Sequence, residues 1–345
     1  MEENGFDVAE RTRVFAEVAL EALYFSRSFI ESLSVQLGVK ILVTGSSGFI
    51  GQICSKRLSL DNEIYNLDLV DSGQGAFQKT DITSFYEVEK LFLSIKPDLI
   101  VHLAALSNIP ESYTNPLLCY ATNVDGTRNI LECMKAVGTR KIIFASSAAV
   151  YSESNQPILE SDKLGPISPY AISKVKAESL ISAYGLEHNI KYSILRFFNA
   201  CGADIVNNLG ENHEPETHVI PNIIKAMKDN KPFYVNGNDH DTNDGTCVRD
   251  YVHVLDIVRA IQYSIEYMDE NESNVFNVGS GIGVSIKDLL ELSNNRNDVH
   301  YKPKRDGDTP TLIANIQKAK AHMGWRPVFG IQDIIRDTKK FFGLV

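Results

Sequence analysis

Tyr170 and Lys174 stand four residues apart in the run Tyr170-Ala171-Ile172-Ser173-Lys174. On a helix that spacing puts both side chains on one face. A tyrosine titrates near ~10 in water, too high for a base at neutral pH. A neighbouring ammonium favours the phenolate and brings the hydroxyl within reach of proton transfer. The pairing alone is common, so its weight depends on what converges with it. Ser146-Ser147 closes an apolar run, Lys141-Ile142-Ile143-Phe144-Ala145, that reads as a buried strand. In a doubly wound sheet that end of the strand faces the ligand crevice. Ser147, Tyr170 and Lys174 are therefore the candidate catalytic set, with Ser147 donating to, or relaying from, the hydroxyl that Tyr170 deprotonates.

A second cluster binds rather than reacts. Lys40-Ile41-Leu42-Val43-Thr44 runs directly into Gly45-Ser46-Ser47-Gly48-Phe49-Ile50-Gly51 and a helical pattern. Strand, glycine turn and helix in that order suit a dinucleotide pyrophosphate. Gly45 allows the tight turn, Gly48 lets backbone N–H groups approach the phosphates, and Gly51 lets helix and strand pack closely. The helix N-terminus adds partial positive charge. Asp68 ends the next strand, where a carboxylate can hold the ribose hydroxyls and repel a 2′-phosphate. NAD is thus favoured over NADP, and its positive nicotinamide would add to the pull of Lys174 on Tyr170. No Gly-Lys-Ser/Thr ending follows, so the turn is not an ATP loop.

The elements that must position these residues alternate. Strands are expected at 40–44, 63–68, 97–103, 141–145 and 192–197, with helices at 50–60, 84–95, 117–137 and 170–188. Repeated βα units predict an α/β fold with a doubly wound parallel Rossmann sheet. Residues 201–217 and 229–246 are polar and read as substrate loops. The expected division is an NAD-binding Rossmann domain at 38–200 and a smaller α/β substrate domain at 201–345, part of 247–278 returning to the Rossmann unit. Residues 1–37 read as an N-terminal helical extension. Phe15, Val18, Ala22, Phe25, Phe29, Leu33 and Leu37 form one apolar stripe, expected to pack on its own domain, with a subunit contact as the alternative.

Composition narrows the partners. With 345 residues, 43% hydrophobic, the chain can bury a large core. Net charge is -10, and no Lys/Arg-rich run occurs, which argues against a nucleic-acid surface. An acidic protein that binds an anion must concentrate its few cations at the site. Five cysteines, Cys54, Cys119, Cys133, Cys201 and Cys247, are odd in number and lack a C-x-x-C pair. Unpaired thiols of a reducing compartment are expected, hence a cytoplasmic protein. The start Met1-Glu2-Glu3-Asn4 does not suit a signal peptide, and no apolar run suits a membrane span. No metal is expected.

On these residues the chain resembles the extended short-chain dehydrogenase/reductase (NAD-dependent epimerase/dehydratase) family, most closely its UDP-glucose 4-epimerase branch. The resemblance runs from Lys40 to about Pro327. It rests on Thr44-Gly45 through Gly51, Asp81-Ile82, His102-Leu103-Ala104-Ala105, Asn123-Val124-Asp125-Gly126-Thr127, Ser147 through Tyr151, Pro169-Tyr170 through Lys174, and Leu195-Arg196-Phe197-Phe198-Asn199. Gly210-Glu211-Asn212-His213, Pro215 through Pro221 and Asp244 through Val254 look like the epimerase branch in particular. The resemblance implies cofactor contacts from Phe49, Ile50, Asp81, Ile82, Leu103, Ala104, Ala105, Asn123 and Phe198. It implies substrate contacts from Asn199, His218 and Val219, diphosphate pairing by Arg249 and Arg305, and a uridine-ribose contact from Asp308. The implied reaction is reversible hydride transfer at C4 of a UDP-hexose, by a homodimer.

Several positions bear on that expectation. Relatives that remove water or carbon dioxide carry an acid just after the serine or threonine, whereas here Ser147 precedes Ala148-Ala149. Ser107 replaces a family lysine near the cofactor, and Asn236 replaces an aromatic residue near the uracil pocket. Leu312 stands where residue size gates the sugar pocket. Alternatives are a 4-epimerase of UDP-N-acetylhexosamine, UDP-pentose or UDP-uronate, a non-enzymatic NAD(H)-sensing protein, and a net dehydrogenase or reductase.

Overall fold

A computed structural model describes residues 38–344 apart from 74, 306 and 307. The expected N-terminal extension lies outside the described residues. The strands, in chain order, begin with β1 (Lys40–Thr44), β2 (Glu63–Asp68), β3 (Ala76–Lys79), β4 (Leu99–His102), β5 (Lys141–Ser147) and β6 (Lys191–Phe197). There follow β7 (Asn199–Cys201), β8 (Ala203–Asp204), β9 (Leu209–Gly210), β10 (Phe233–Asn236), β11 (Val248–His253) and β12 (Asn274–Val278). β13 (Gly283–Ser285), β14 (Val299–Lys302) and β15 (Thr311–Leu312) complete the series.

Seven strands form one parallel sheet in the order β12-β6-β5-β4-β1-β2-β3. Its central strands β1, β4 and β5 are buried without alternation because helices cover both faces. Ile41 and Val43 of β1 join a core with Ile53 and Val258, from the helices Phe49–Leu58 and Val254–Glu270. Leu42, between them, joins a core with Phe92, Ile130 and Ile181, from Phe85–Ile95, Gly126–Val137 and Pro169–His188. This matches the expected doubly wound Rossmann fold. The chain proceeds outward through β2 and β3, then returns to β4 on the other flank of β1. The order therefore reverses between β1 and β4, and a crevice opens at their C-terminal ends.

A third apolar cluster lies in the later half, with Ile220, Ile224, Val235, Tyr251, Leu289 and Ile334 among its members. It packs the helices Val219–Asp229, Ile286–Leu292 and Ile331–Phe341 beside β11. β11 pairs with β7, β13 and β15, while β10 pairs with β14. Among the described residues no helix is long and apolar enough to cross a membrane.

Three local expectations differ from the structure. The helix expected at 117–137 is Pro116–Tyr120, a π-helical turn at Ala121–Asp125, and then Gly126–Val137. The wide turn carries Asn123, whose side chain bonds across elements, a common use of π-bulges at functional sites. β3 escaped notice because it is a short edge strand with no buried residue. Neither polar segment is all loop: 201–217 contains β8 and β9, and 229–246 contains β10.

Candidate active site

The glycine turn has separate reasons for its glycines. Gly45 adopts φ +71° and its backbone lies against Ala104, so a Cβ there would sit 2.6 Å from the Ala104 nitrogen. At Gly51 a Cβ would come within 2.0 Å of the Gly45 oxygen. Gly48 is exposed, and a Cβ there would meet only the Gly45 oxygen, at 3.3 Å. Nothing within the fold requires a glycine at 48; close approach of a ligand would. Gly48 also caps the helix Phe49–Leu58 without a side-chain bond, and no acid occupies the first turn. Its first N–H groups are therefore suited to an anion. Phe49 and Ile50 are partly buried against the core.

Asp68 stands at the end of β2, as expected. Its carboxylate accepts from the Ser47 N–H at 2.9 Å and the Leu69 N–H at 2.7 Å. It thereby pins the glycine turn, and each oxygen retains capacity for a further donor. Asp81 accepts from the Thr83 N–H and hydroxyl, at 2.9 and 2.8 Å. Ile82 is buried against Gly126, where a Cβ would come within 2.6 Å of its Cδ1.

The loop after β4 carries Leu103, Ala104 and Ala105, all partly exposed. A buried network fixes it. Thr127 donates its hydroxyl hydrogen to the Asn123 carbonyl at 2.6 Å, so it can only accept from Nε2 of His102, at 3.0 Å. Nδ1 of His102 is then an acceptor, taking the Thr44 hydroxyl at 2.7 Å, and the Thr44 oxygen accepts from the Ala104 N–H at 3.2 Å. Burial, with the charge of Lys174 assisting, pushes His102 down to about 3, so the ring is neutral. Asn123 completes the frame: it exchanges two hydrogen bonds with the backbone of Leu106, 2.8 and 3.0 Å, and donates to Ser173 at 2.8 Å.

Tyr170 and Lys174 lie buried on the helix Pro169–His188, whose N-cap Ser168 accepts from the Ala171 N–H. Ser147 ends β5, its hydroxyl accepting from the Ala149 N–H at 3.2 Å, and lies near enough to the Tyr170 phenol to favour the phenolate. The three candidate catalytic residues therefore meet. The electrostatics differ from expectation. Burial raises Tyr170 above its ordinary 10, the nearby Ser147 hydroxyl opposes this, and the Lys174 charge does not offset it. The Lys174 ammonium instead donates to the Ala145 carbonyl at 2.7 Å and lies 4.7 Å from the Phe144 ring centroid and 5.9 Å from that of Tyr170. Burial brings Lys174 down to about 8, against the raising influence of Glu178. So the ammonium does not activate the phenol by itself in this state.

Beneath the set lies a buried ion pair that the motif reading missed. Glu178, one turn beyond Lys174, binds Arg196 of β6 through two bonds, 2.9 and 2.7 Å, and accepts from Ser146 at 2.5 Å. Arg196 also donates to Tyr151, which donates to Asn277 of β12. The i,i+4 spacing of Lys174 and Glu178 and a charge within an apolar strand were the available signals.

The later residues form a second group. Phe198 is buried where β6 meets β12, its N–H donating to Val278 at 3.0 Å. Asn199 donates to the Asp250 carbonyl at 2.9 Å, and Arg249 lies opposite Leu312 in the β11–β15 register. The Arg249 guanidinium donates to the carbonyls of Val248 and Pro310, 2.9 and 3.3 Å, rather than to Asp250 or Asp256. Asp256 instead pairs with Arg259, and Asp250 binds Ser280, Gly281 and Ala314. Arg305 donates to the carbonyl oxygen of Asn236, at 3.0 and 3.3 Å in the amide orientation its neighbours favour. Burial raises the Cys247 thiol, the charges of Arg249 and Arg305 pull it down, and that of Asp308 pushes it up. His218 and Val219 open the helix Val219–Asp229, and His218 turns toward Glu211 and Glu216. Burial would lower His218, but those carboxylates raise it to about 10.

Residues 41–279 match the NAD dependent epimerase/dehydratase family, and the chain belongs to it. At the level of individual relatives, a UDP-glucose 4-epimerase of Rhizobium meliloti (strain 1021) is 37% identical over 85% of this chain and 94% of its own. The crystal structure of UDP-glucose 4-epimerase from Brucella ovis in complex with NAD is similar with a TM-score of 0.83 and 34% identity, covering 88% of this chain and 98% of that one. The UDP-Glc/GlcNAc 4-epimerase from Campylobacter jejuni is similar with a TM-score of 0.75 and 34% identity, over 88% of this chain and 98% of its own.

Proposed function

We propose that the chain is a UDP-glucose 4-epimerase that interconverts UDP-galactose and UDP-glucose through a transient 4-keto sugar, with NAD held in the β1/β4 crevice. The observation that carries this reading is the meeting of Ser147, Tyr170 and Lys174 beside a glycine turn, with only Ala148 and Ala149 following the serine. An acid at that point would help a keto sugar lose water; two alanines leave hydride return as the available exit.

The crevice fits the cofactor: an exposed Gly48, a helix start without a side-chain cap, and Asp68 with spare acceptor capacity. Bound NAD would accept a hydride from sugar C4 and return it to the opposite face. Phe49, Ile50, Asp81, Ile82, Leu103, Ala104, Ala105, Asn123 and Phe198 are its proposed neighbours. Tyr170 would take the C4 hydroxyl proton; burial holds its pKa above the ordinary value, and the positive charge of a bound nicotinamide would lower it. Ser147 steadies the same hydroxyl. Lys174 supplies charge and holds the helix to β5. Arg249, Arg305 and Asp308 anchor the UDP portion, with Asn199, His218 and Val219 nearby, while the sugar turns. Leu312 tunes the room for the sugar. Its partial burial opposite Arg249, and the likeness to an enzyme described for both UDP-Glc and UDP-GlcNAc, support a second reading in which N-acetylated sugars are also taken.

The division near residue 200 into a cofactor unit and a substrate unit belongs to this reading. So does a cytoplasmic location, supported by five free, buried cysteines. A homodimer is supported by the exposed Tyr113, Leu117, Leu118 and Leu186. Incubation with UDP-galactose, UDP-GalNAc and UDP-pentoses without reductant, followed by NMR, tests the function. Turnover of UDP-galactose with no net NADH is expected; failure to convert any of them refutes it.

A further inference from the structure

Outside the crevice, one side-chain cluster has the chemistry of a metal centre. Glu211, His213, Glu216 and His218 each present one ligand atom, and these atoms all lie within 4.8 Å of one another. Two imidazole nitrogens and two carboxylate oxygens make a set suited to zinc. We propose that these four residues bind a divalent cation of the zinc type.

Geometry supports it. Ligand atoms about 2.0–2.1 Å from a tetrahedral ion lie roughly 3.3 Å apart. Nδ1 of His213 is 3.3 Å from Oε1 of Glu211, and Nδ1 of His218 is 3.6 Å from Oε1 of Glu216. The remaining contacts bracket that spacing, His213 to Glu216 at 4.0 Å and His218 to Glu211 at 2.5 Å. The last is a hydrogen bond that a cation would replace. Independently, Glu211 is only 3% exposed and aimed into the cluster, yet its Oε2 has no hydrogen-bond partner among the described residues. A buried carboxylate oxygen left so is costly, and a cation chelated by both Glu211 oxygens would satisfy it. Among the described residues the ammonium in contact is that of Lys225, 3.6 Å from Oε2 of Glu216. Once His218 gives up its proton to ligate the ion, two carboxylates against one lysine leave a negative charge for it.

Placement suggests a role. The ligands come from the chain between β9 and the helix Val219–Asp229, so the ion would close one loop at both ends. His213 and Asn212 line a cavity with Ser47, Gly48, Phe49 and Gln52 of the glycine turn. The ion is therefore a structural clamp beside the cofactor crevice, not a reactant.

The test is binding of zinc chloride to the untagged, chelator-stripped full chain, by calorimetry and by metal content after dialysis. About one zinc per chain is expected, with a raised melting temperature. His213→Ala and Glu216→Gln should each weaken binding by at least about tenfold. His240→Ala, which removes the partner lying 3.3 Å from Cys247, should retain it. No stoichiometric zinc, or zinc lost with His240→Ala but kept in the other two variants, overturns the proposal. If His213→Ala does not fold, Glu216→Gln decides. Because binding is read rather than turnover, the result stands apart from the epimerase reading.

Discussion

The two halves of the site are built by different means. The crevice at β1, β4 and β5 draws its geometry from a parallel sheet. Gly45, Asp68, His102 and Ser147 each stand at or just past a strand end, and hydrogen-bonded registers fix those ends relative to one another. The later group, Asn199, Arg249, Arg305, Asp308 and Leu312, is assembled from short strands and loops well separated in sequence. Its cations are held by carbonyl and amide oxygens rather than buried carboxylates. The first arrangement suits proton and hydride transfer, which depend on sub-ångström placement. The second suits holding a nucleotide while its sugar moves. Under the proposed roles, the chemistry sits on the ends of sheet strands and the recognition on short strands and loops.

The contrast can be tested by removing support from each side. Glu178→Leu leaves the buried Arg196 without its carboxylate and should cost about 3–5 kcal/mol of stability, measured by urea denaturation. A loss under about 1 kcal/mol would mean the sheet does not depend on this pair. Tyr170→Phe should keep the fold and cut turnover by at least about a hundredfold at saturating substrate, the lower end for acid–base groups. Near-normal turnover would remove Tyr170 as the base. Arg249→Ala should act mainly on KM, raising it about tenfold or more, since a charge-assisted bond contributes roughly 1.5–3 kcal/mol. A fall in kcat with KM unchanged would place Arg249 with the chemistry instead.

The smallest effect expected distinguishes two glycines of one turn. Gly51→Ala should destabilise the apo protein by about 1–3 kcal/mol, because its Cβ meets the Gly45 oxygen. Gly48→Ala should leave apo stability within about 0.5 kcal/mol, as for other exposed changes, yet weaken NAD binding in a fluorescence titration. Equal apo losses in the two variants would show that Gly48 serves packing rather than the cofactor.

A pH signature follows for Lys174. Its folded-state pKa, about 8, lies below its ordinary value, so between those two the unfolded chain binds the extra proton. The penalty for burying the charge is present in full below pH 8 and relieved above it. Stability of the ligand-free protein should rise, relative to Lys174→Met, as pH climbs from 8 toward 10.5.

Much of the first half was legible in the chain because its determinants are local. Five residues make β1, the next seven make the glycine turn, and apolar runs between helical patterns can only be satisfied by a sheet covered on both faces. Tyr170 and Lys174 share a helix face by spacing alone. Tertiary structure decided what depends on contacts between distant segments. It set Lys174 on the Ala145 carbonyl rather than on the phenol, and it widened the helical turn at Asn123, whose amide braces both Leu106 and Ser173. It paired Glu178 with Arg196 and brought Glu211 to His218. None of these follows from periodicity, since a side chain's partner across the sheet depends on strand order, and strand order is a property of the folded chain.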